Sequence, residues 1–261
     1  MYKFLLTEVR DRMGIITINR PTDGNTMSGG TAPEMEDAID KFSKDESVGV
    51  VIITGAGKNF CVGGDINSFK SRIENKTFLQ KETILTAGTL AIAIRRCPKP
   101  VIAMINGSAA GAGCGIAMAC DFRIMEMKSK FAMAFANLGL SGDTCGMYFI
   151  AKLVGVARMT EMLMYSTTVN GTEALTYGLA NRVAEPGNLQ EVTFEFAKKL
   201  AYGPTFAYKK QKELFNRFFY SDMDEFLDAE ADAVCECGRS SDFTEAVYAF
   251  LEKRKPEFKG K

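Results

Sequence analysis

A chain of 261 residues with 46% hydrophobic and 25% charged side chains can bury a full core without staples. Its 32 Lys+Arg balance 32 Asp+Glu, which argues against a nucleic-acid surface or a polybasic membrane anchor but leaves local phosphate contacts open. There is no histidine, so Ser-His-Asp and Cys-His catalysis and His-ligated zinc are excluded within the chain, and acid–base chemistry falls to Asp, Glu, Lys, Tyr or Cys.

In chain order, residues 4–8 and 14–18 read as strands of a hairpin, with Asp11-Arg12-Met13 and Gly14 supplying the turn. Residues 35–42 have helical apolar spacing. The β-branched run 48–54, bounded by Gly55 and Gly57, reads as a buried strand. A long helix over 77–96 is stopped by Cys97-Pro98-Lys99-Pro100, and 101–105 form the next buried strand. Segment 111–120 reads as a helix and 122–125 as a strand. This alternation implies parallel strands joined by right-handed crossovers. Beyond Asp143 the patterns are mostly helical, over 144–153, 157–165, 171–177, 190–201, 205–218 and 223–235, with one last strand over 179–184. The expected architecture is an α/β core followed by a helical C-terminal part.

The cysteines Cys61, Cys97, Cys114, Cys120, Cys145, Cys235 and Cys237 form no CxxC pair and read as free thiols in a reducing compartment. The first ten residues lack an apolar signal region, no apolar run is long enough to span a bilayer, and the terminal Lys259-Gly260-Lys261 is not a peroxisomal or prenylation signal. A cytoplasmic location is the expectation.

Three stretches can carry chemistry. Asn59-Phe60-Cys61-Val62-Gly63-Gly64-Asp65-Ile66 follows a strand and leads into a helix; its bare glycines let backbone N–H groups approach a ligand, and Asp65 suits a helix cap. A plain glycine turn fits the same residues. The stretch from Asn106 to Gly115 runs from a strand into a helix start, an anion-binding geometry, although close helix–strand packing also explains its small residues. Its GAGCGI run has Ile116 where a dinucleotide fingerprint needs a third Gly or Ala, which weakens any NAD reading. In the stretch from Asn137 to Gly146, Asp143 is read as opening a helix. It suits an N-cap, a general base, or both, held ionised by helix-start N–H groups.

Taken together, these stretches resemble the crotonase (enoyl-CoA hydratase/isomerase) superfamily. The resemblance runs from IITINRPTDGN at 15–25 through FCVGGDI at 60–66, PKPVIAMINGSAAGAGCGIAMACDF at 98–122, FANLGLSGDTCG at 135–146 and ALTYGLANRV at 174–183 to the closing Arg254-Lys255-Pro256-Glu257-Phe258. It implies a ββα-spiral core over residues 1–200 with an acyl-CoA site, and a helical trimerisation region over 201–261 that builds a homotrimer or a dimer of trimers. The substrate it implies is a coenzyme A or acyl-carrier thioester of lipid metabolism, with no separate cofactor, no metal, and no nucleic-acid or membrane partner. It matches the N–H groups of Gly64 and Ala112 to an oxyanion hole, each donor worth about 3–4 kcal/mol of barrier. Met27, Cys61 and Ile66 are placed near the adenine end, with Gly63, Asp65 and Gly111 in the adjoining binding loops.

Hydratases of this type use two glutamates, whose matching positions here are Gly115 and Phe135. Ordinary syn hydration is therefore not expected. The acid is instead Asp143, at the position that serves several double-bond isomerases of the superfamily. One carboxylate suffices for a 1,3-proton shift: it takes a proton from C2, the oxyanion hole holds the dienolate, and the same acid returns a proton at C4. Phe135 and Met133 would keep that pocket dry, or simply pack the core. GDTCGMY at 142–148 also resembles the aryl-CoA dehalogenase branch, but that chemistry pairs Asp with His and Trp, and this chain has neither. The resulting expectation is an enoyl-thioester Δ3→Δ2 isomerase with Asp143 as acid–base residue. The alternatives are a specialised hydratase or thioester hydrolase, and a non-catalytic acyl-CoA-binding subunit.

Overall fold

A computed structural model describes residues 1–261. The chain opens with β1 (Leu5–Arg10) paired antiparallel to β2 (Met13–Ile18). The two-residue turn is Asp11-Arg12, both with positive φ, the geometry whose twist matches the flanking strands. Gly14, assigned to the turn from sequence, lies inside β2 instead, where a Cβ would strike the Phe42 ring at 2.8 Å.

There follow α1 (Thr31–Lys44), β3 (Val50–Gly55), β4 (Asn59–Cys61), α2 (Ile66–Glu74), α3 (Lys81–Arg96), β5 (Val101–Ile105), β6 (Ser108–Ala110), α4 (Ala112–Ala119), β7 (Phe122–Glu126) and β8 (Lys130–Ala132). Then come α5 (Gly146–Met164), β9 (Thr168–Asn170), α6 (Gly171–Tyr177), β10 (Arg182–Ala184), α7 (Leu189–Ala201), α8 (Thr205–Phe218), α9 (Met223–Cys237) and α10 (Ser241–Leu251). The two helices expected over 144–153 and 157–165 are the two arms of α5, separated at Gly155, whose φ of 78° and ψ of 162° are not helical.

The larger sheet runs β1-β2-β3-β5-β7-β10 and is parallel from β2 onward, as the strand–helix alternation predicts. Alternate side chains of a strand leave on opposite faces. Accordingly Ile15, Val50, Ile52, Ile102 and Ile124 pack on Ala197 and Ala201 of α7. Ile16, Val51, Ile53, Ala103 and Ile105 enter the main core with the apolar faces of α1, α3 and α4. A second, smaller sheet, β4-β6-β8-β9, has three-residue strands, too short to show alternation in the sequence.

The C-terminal helix α8 is fastened to the sheet by charge. Asp121, at the entry to β7, receives Lys212 of α8 at 2.5 Å, Arg95 of α3, and the Val101 N–H at 2.8 Å. No helix is long and apolar enough to cross a membrane.

Candidate active site

Two asparagines fix where the loops start. Buried Asn25 donates to Ala56 O at 2.9 Å and to Asn59 O at 2.7 Å, and accepts the Arg20 N–H at 2.9 Å. Asn106 donates to Gly57 O at 3.0 Å and accepts the Gly55 N–H at 3.2 Å. Together they tie the ends of β3 and β5 to the entry of β4.

The loop after β4 then lies directly on the start of α4. Gly63 has φ 88°, and a Cβ there would meet Ala110 O at 2.8 Å and Ala112 N at 3.1 Å, so only glycine permits this approach. From the other side, the Met27 N–H donates to Gly63 O at 3.0 Å. Gly64 is exposed, belongs to no helix or strand, and its amide donates to no protein acceptor. Asp65 caps α2 through the Asn67 N–H at 2.9 Å, the role read from sequence, and Ile66 is the half-buried first residue of that helix. Cys61 is fully buried, accepts the Gly63 N–H at 3.4 Å, and burial pushes its thiol up to about 12. Any ligand contact at Cys61 would thus come from its backbone.

Gly111 donates to Ala132 O at 2.9 Å and turns the chain with φ 50°, a conformation glycine supplies without steric cost. Ala112 is the first residue of α4, so its N–H has no intrahelical acceptor. The Phe135 ring covers this turn, 3.5 Å from where a Gly111 Cβ would sit. Met133 is fully buried, and its Cε would lie 2.6 Å from a Cβ on Gly146.

Asp143 departs from the expectation in two respects, as a cap and as a carboxylate held ionised by helix-start N–H groups. It is not a helix cap: α5 begins at Gly146, with Cys145 in the cap position, because Thr144 and Cys145 both take left-handed dihedrals (φ 58° and 53°) and delay the helix. No backbone N–H reaches its carboxylate, which accepts only the Thr144 hydroxyl, at 3.2 Å. Burial therefore dominates and raises Asp143 to about 6, against a smaller lowering by Thr144. The group is still half-buried rather than sealed.

The Asp143 segment crosses the start of α4. Thr144 Oγ1 is 3.5 Å from Ala112 O, and a Cβ on Gly115 would fall 2.0 Å from that hydroxyl. The Gly63-Gly64 loop, the Ala112 turn and Asp143 are thus brought to one place. The site combines unpaired backbone N–H donors with a carboxyl whose proton affinity lies near neutrality, a set able to stabilise an oxyanion and move a proton.

Two residues here escaped the sequence reading, Thr144 and Glu230. Glu230 of α9 is buried, and its Oε2 accepts the Cys145 N–H at 2.7 Å. Its signal is legible in hindsight, since it falls on the apolar stripe Met223, Leu227, Ala231, Val234 of α9. A cavity of about 590 Å³ lies elsewhere, beneath α8 and beside Arg95, Asp121 and Lys212. Its one carboxylate, Asp121, is already held by two cations, so it offers no free base.

Residues 8–261 match the family described as Enoyl-CoA hydratase/isomerase. The trans-2-decenoyl-[acyl-carrier-protein] isomerase of Streptococcus mutans is 32% identical, covering 100% of this chain and 99% of its own. The short-chain-enoyl-CoA hydratase of Clostridium acetobutylicum is 34% identical over 97% of this chain and 96% of its own. A crystal structure of an enoyl-CoA hydratase from Mycobacterium avium subsp. paratuberculosis superposes with a TM-score of 0.88 at 30% identity, covering 98% of each chain.

Proposed function

The chain belongs to the enoyl-CoA hydratase/isomerase family, and from that premise we propose that it moves the double bond of an enoyl thioester from Δ3 to Δ2. The observation that carries this reading is Thr144 Oγ1 filling the space beside Gly115. Water addition needs one group to activate water and another to protonate carbon. The two positions at which the resemblance puts them hold Gly115, where an added side chain would collide with Thr144, and the buried Phe135. Asp143 is left as the acid–base group, and a proton shift needs one.

In the proposed reaction the thioester oxygen accepts from the N–H groups of Gly64 and Ala112. Ionised Asp143 takes a proton from C2, negative charge moves to the oxygen, and protonated Asp143 returns the proton at C4. A base that titrates near 6 is well matched to both transfers near neutral pH. The chain's own groups supply each step, so the scheme calls for no separate cofactor. Met27, Gly63, Gly111 and Ile66 line the approach for the thioester's carrier. Trimeric assembly is part of the same proposal, supported by the exposed apolar side chains Phe206, Leu214, Phe215, Phe218 and Phe219 around α8.

Hydration is the second reading, because a hydratase shares 34% of the sequence. The deciding experiment offers 3-enoyl and 2-enoyl thioesters, on CoA and on acyl-carrier protein, and follows double-bond position and 3-hydroxyacyl product. Isomerisation without 3-hydroxyacyl product is expected. Hydration at a comparable rate would replace the isomerase reading.

A further inference from the structure

Glu230 is the one fully buried acid of the chain, 4% exposed, and the scheme above does not use it. Its Oε2 accepts the Cys145 N–H at 2.7 Å, across 85 residues of sequence. Its Oε1 has no partner and lies 3.9 Å from where a Cβ on Gly142 would sit. The carboxyl therefore bonds the backbone after Asp143 and faces the side-chain-free side of Gly142 before it.

That backbone has an uncommon shape. Gly142, Thr144 and Cys145 all have positive φ, at 138°, 58° and 53°. Consecutive left-handed residues, one of them β-branched, persist only where their surroundings over-determine them. The bond from Cys145 to Glu230 is such a constraint. No cation compensates Glu230. Lys81 and Arg96 of α3 pair with Asp228, Asp232 and Asp224 on the exposed side of α9, and the facing segment offers only Asp143 and the Cys145 thiol.

We infer that Glu230 is a positioning residue for the acid–base step: a proton-bearing clamp that holds the Asp143 turn in its working shape and stays uncharged while Asp143 is ionised. This rests on the reading of Asp143 as the proton carrier. Two carboxyls in one apolar region, with no cation between them, do not both ionise readily. Asp143 ionises first, near 6; burial pushes Glu230 up to about 8, opposed by the Cys145 N–H bond and aided by the Asp143 charge. Near neutrality the pair holds one negative charge, on Asp143. When Glu230 also ionises, Asp143 binds its proton more tightly and returns it to C4 more slowly.

The test measures kcat and KM for 3-enoyl thioester isomerisation across pH in wild type, Glu230→Gln and Glu230→Ala, alongside infrared titration of protonated carboxyls in the same proteins. The alanine variant should lose about tenfold or more in kcat with KM within about twofold, the scale of a lost buried hydrogen bond. Glutamine keeps an acceptor for Cys145 and should retain more of the rate. The wild-type profile should fall above about pH 8 together with loss of a protonated carboxyl band, and both features should be missing in Glu230→Gln. Superimposable rate profiles and titrations for wild type and Glu230→Gln would overturn the inference. So would an alanine variant with unchanged kcat. Should the alanine variant not fold, the glutamine comparison alone decides. Should wild type not isomerise any 3-enoyl thioester, the functional reading fails, and the infrared titration still shows whether Glu230 keeps its proton to about pH 8.

Discussion

Thr144 Oγ1 stands 2.0 Å from the place where a Cβ at position 115 would be, and Thr144 Cβ is 2.8 Å from it. Position 115 is closed by a residue from the Asp143 segment, so the absence of an acid there is built into the packing.

Gly115→Ala should therefore lower stability by about 1–3 kcal/mol, the usual cost of overpacking. Adding Thr144→Gly removes the clash and a β-branched residue at positive φ, so the double variant should recover much of that loss. A double-mutant cycle on thermal unfolding should show coupling of about 1 kcal/mol or more. Gly115→Glu should gain no hydration. A stable, hydrating Gly115→Glu variant would show that the space is open after all.

Asp143 links activity to stability with opposite signs. Its proton affinity in the folded chain is raised from 3.8 to about 6, chiefly by burial. A carboxyl raised in this way favours the folded state below pH 3.8, and that contribution is lost as pH rises through about 6. Asp143→Asn should thus be more stable than wild type at pH 7, by up to about 3 kcal/mol, with the gap closing at acid pH. The same variant should lose at least about a hundredfold in isomerisation. In wild type, kcat/KM should rise through about pH 6 as the base ionises and hold level until about pH 8. Thermal scans and rates at the same pH values check both halves.

Much of this arrangement is legible in the residues. The β-branched runs at β3 and β5 announce a buried parallel sheet, and the helical pattern over 205–218 coincides with α8. Asp65 reads as a cap and is one, because an Asx turn is local. Asp143 misleads for the converse reason. Its environment is set by Thr144 and Cys145 turning left-handed and by Glu230 arriving from α9, and no pattern within the loop encodes a partner 85 residues away. The small sheet is illegible because three-residue strands carry no period, only pairing with chain far off in sequence.

The Asp121 cluster makes a separate prediction about α8. Asp121 is the shared partner of buried Arg95 and Lys212. Asp121→Ala strands two cations and should cost about 3–5 kcal/mol. Lys212→Met leaves the Arg95 pair intact and restores apolar volume, so it should cost clearly less. Denaturant midpoints compare the two, and equal losses would mean that charge compensation is not what holds α8.

The amide of Ala112 can be deleted without removing a side-chain contact. Ala112 is the first residue of α4, where proline is tolerated because its N–H has no intrahelical partner and its φ is preset for a helix. Ala112→Pro should therefore fold with a stability change within about 1 kcal/mol. If the Ala112 N–H stabilises the enolate oxygen, kcat should fall about 10²- to 10³-fold, the size of losing one oxyanion donor. Thioester affinity should fall as well, because the proline Cδ stands where the thioester oxygen approaches the N–H, so the loss in kcat is read at saturating thioester. Steady-state kinetics with a ligand-binding titration on the folded variant separates the two effects. A variant that folds, binds thioester and retains its rate would show that the oxyanion is held by other groups.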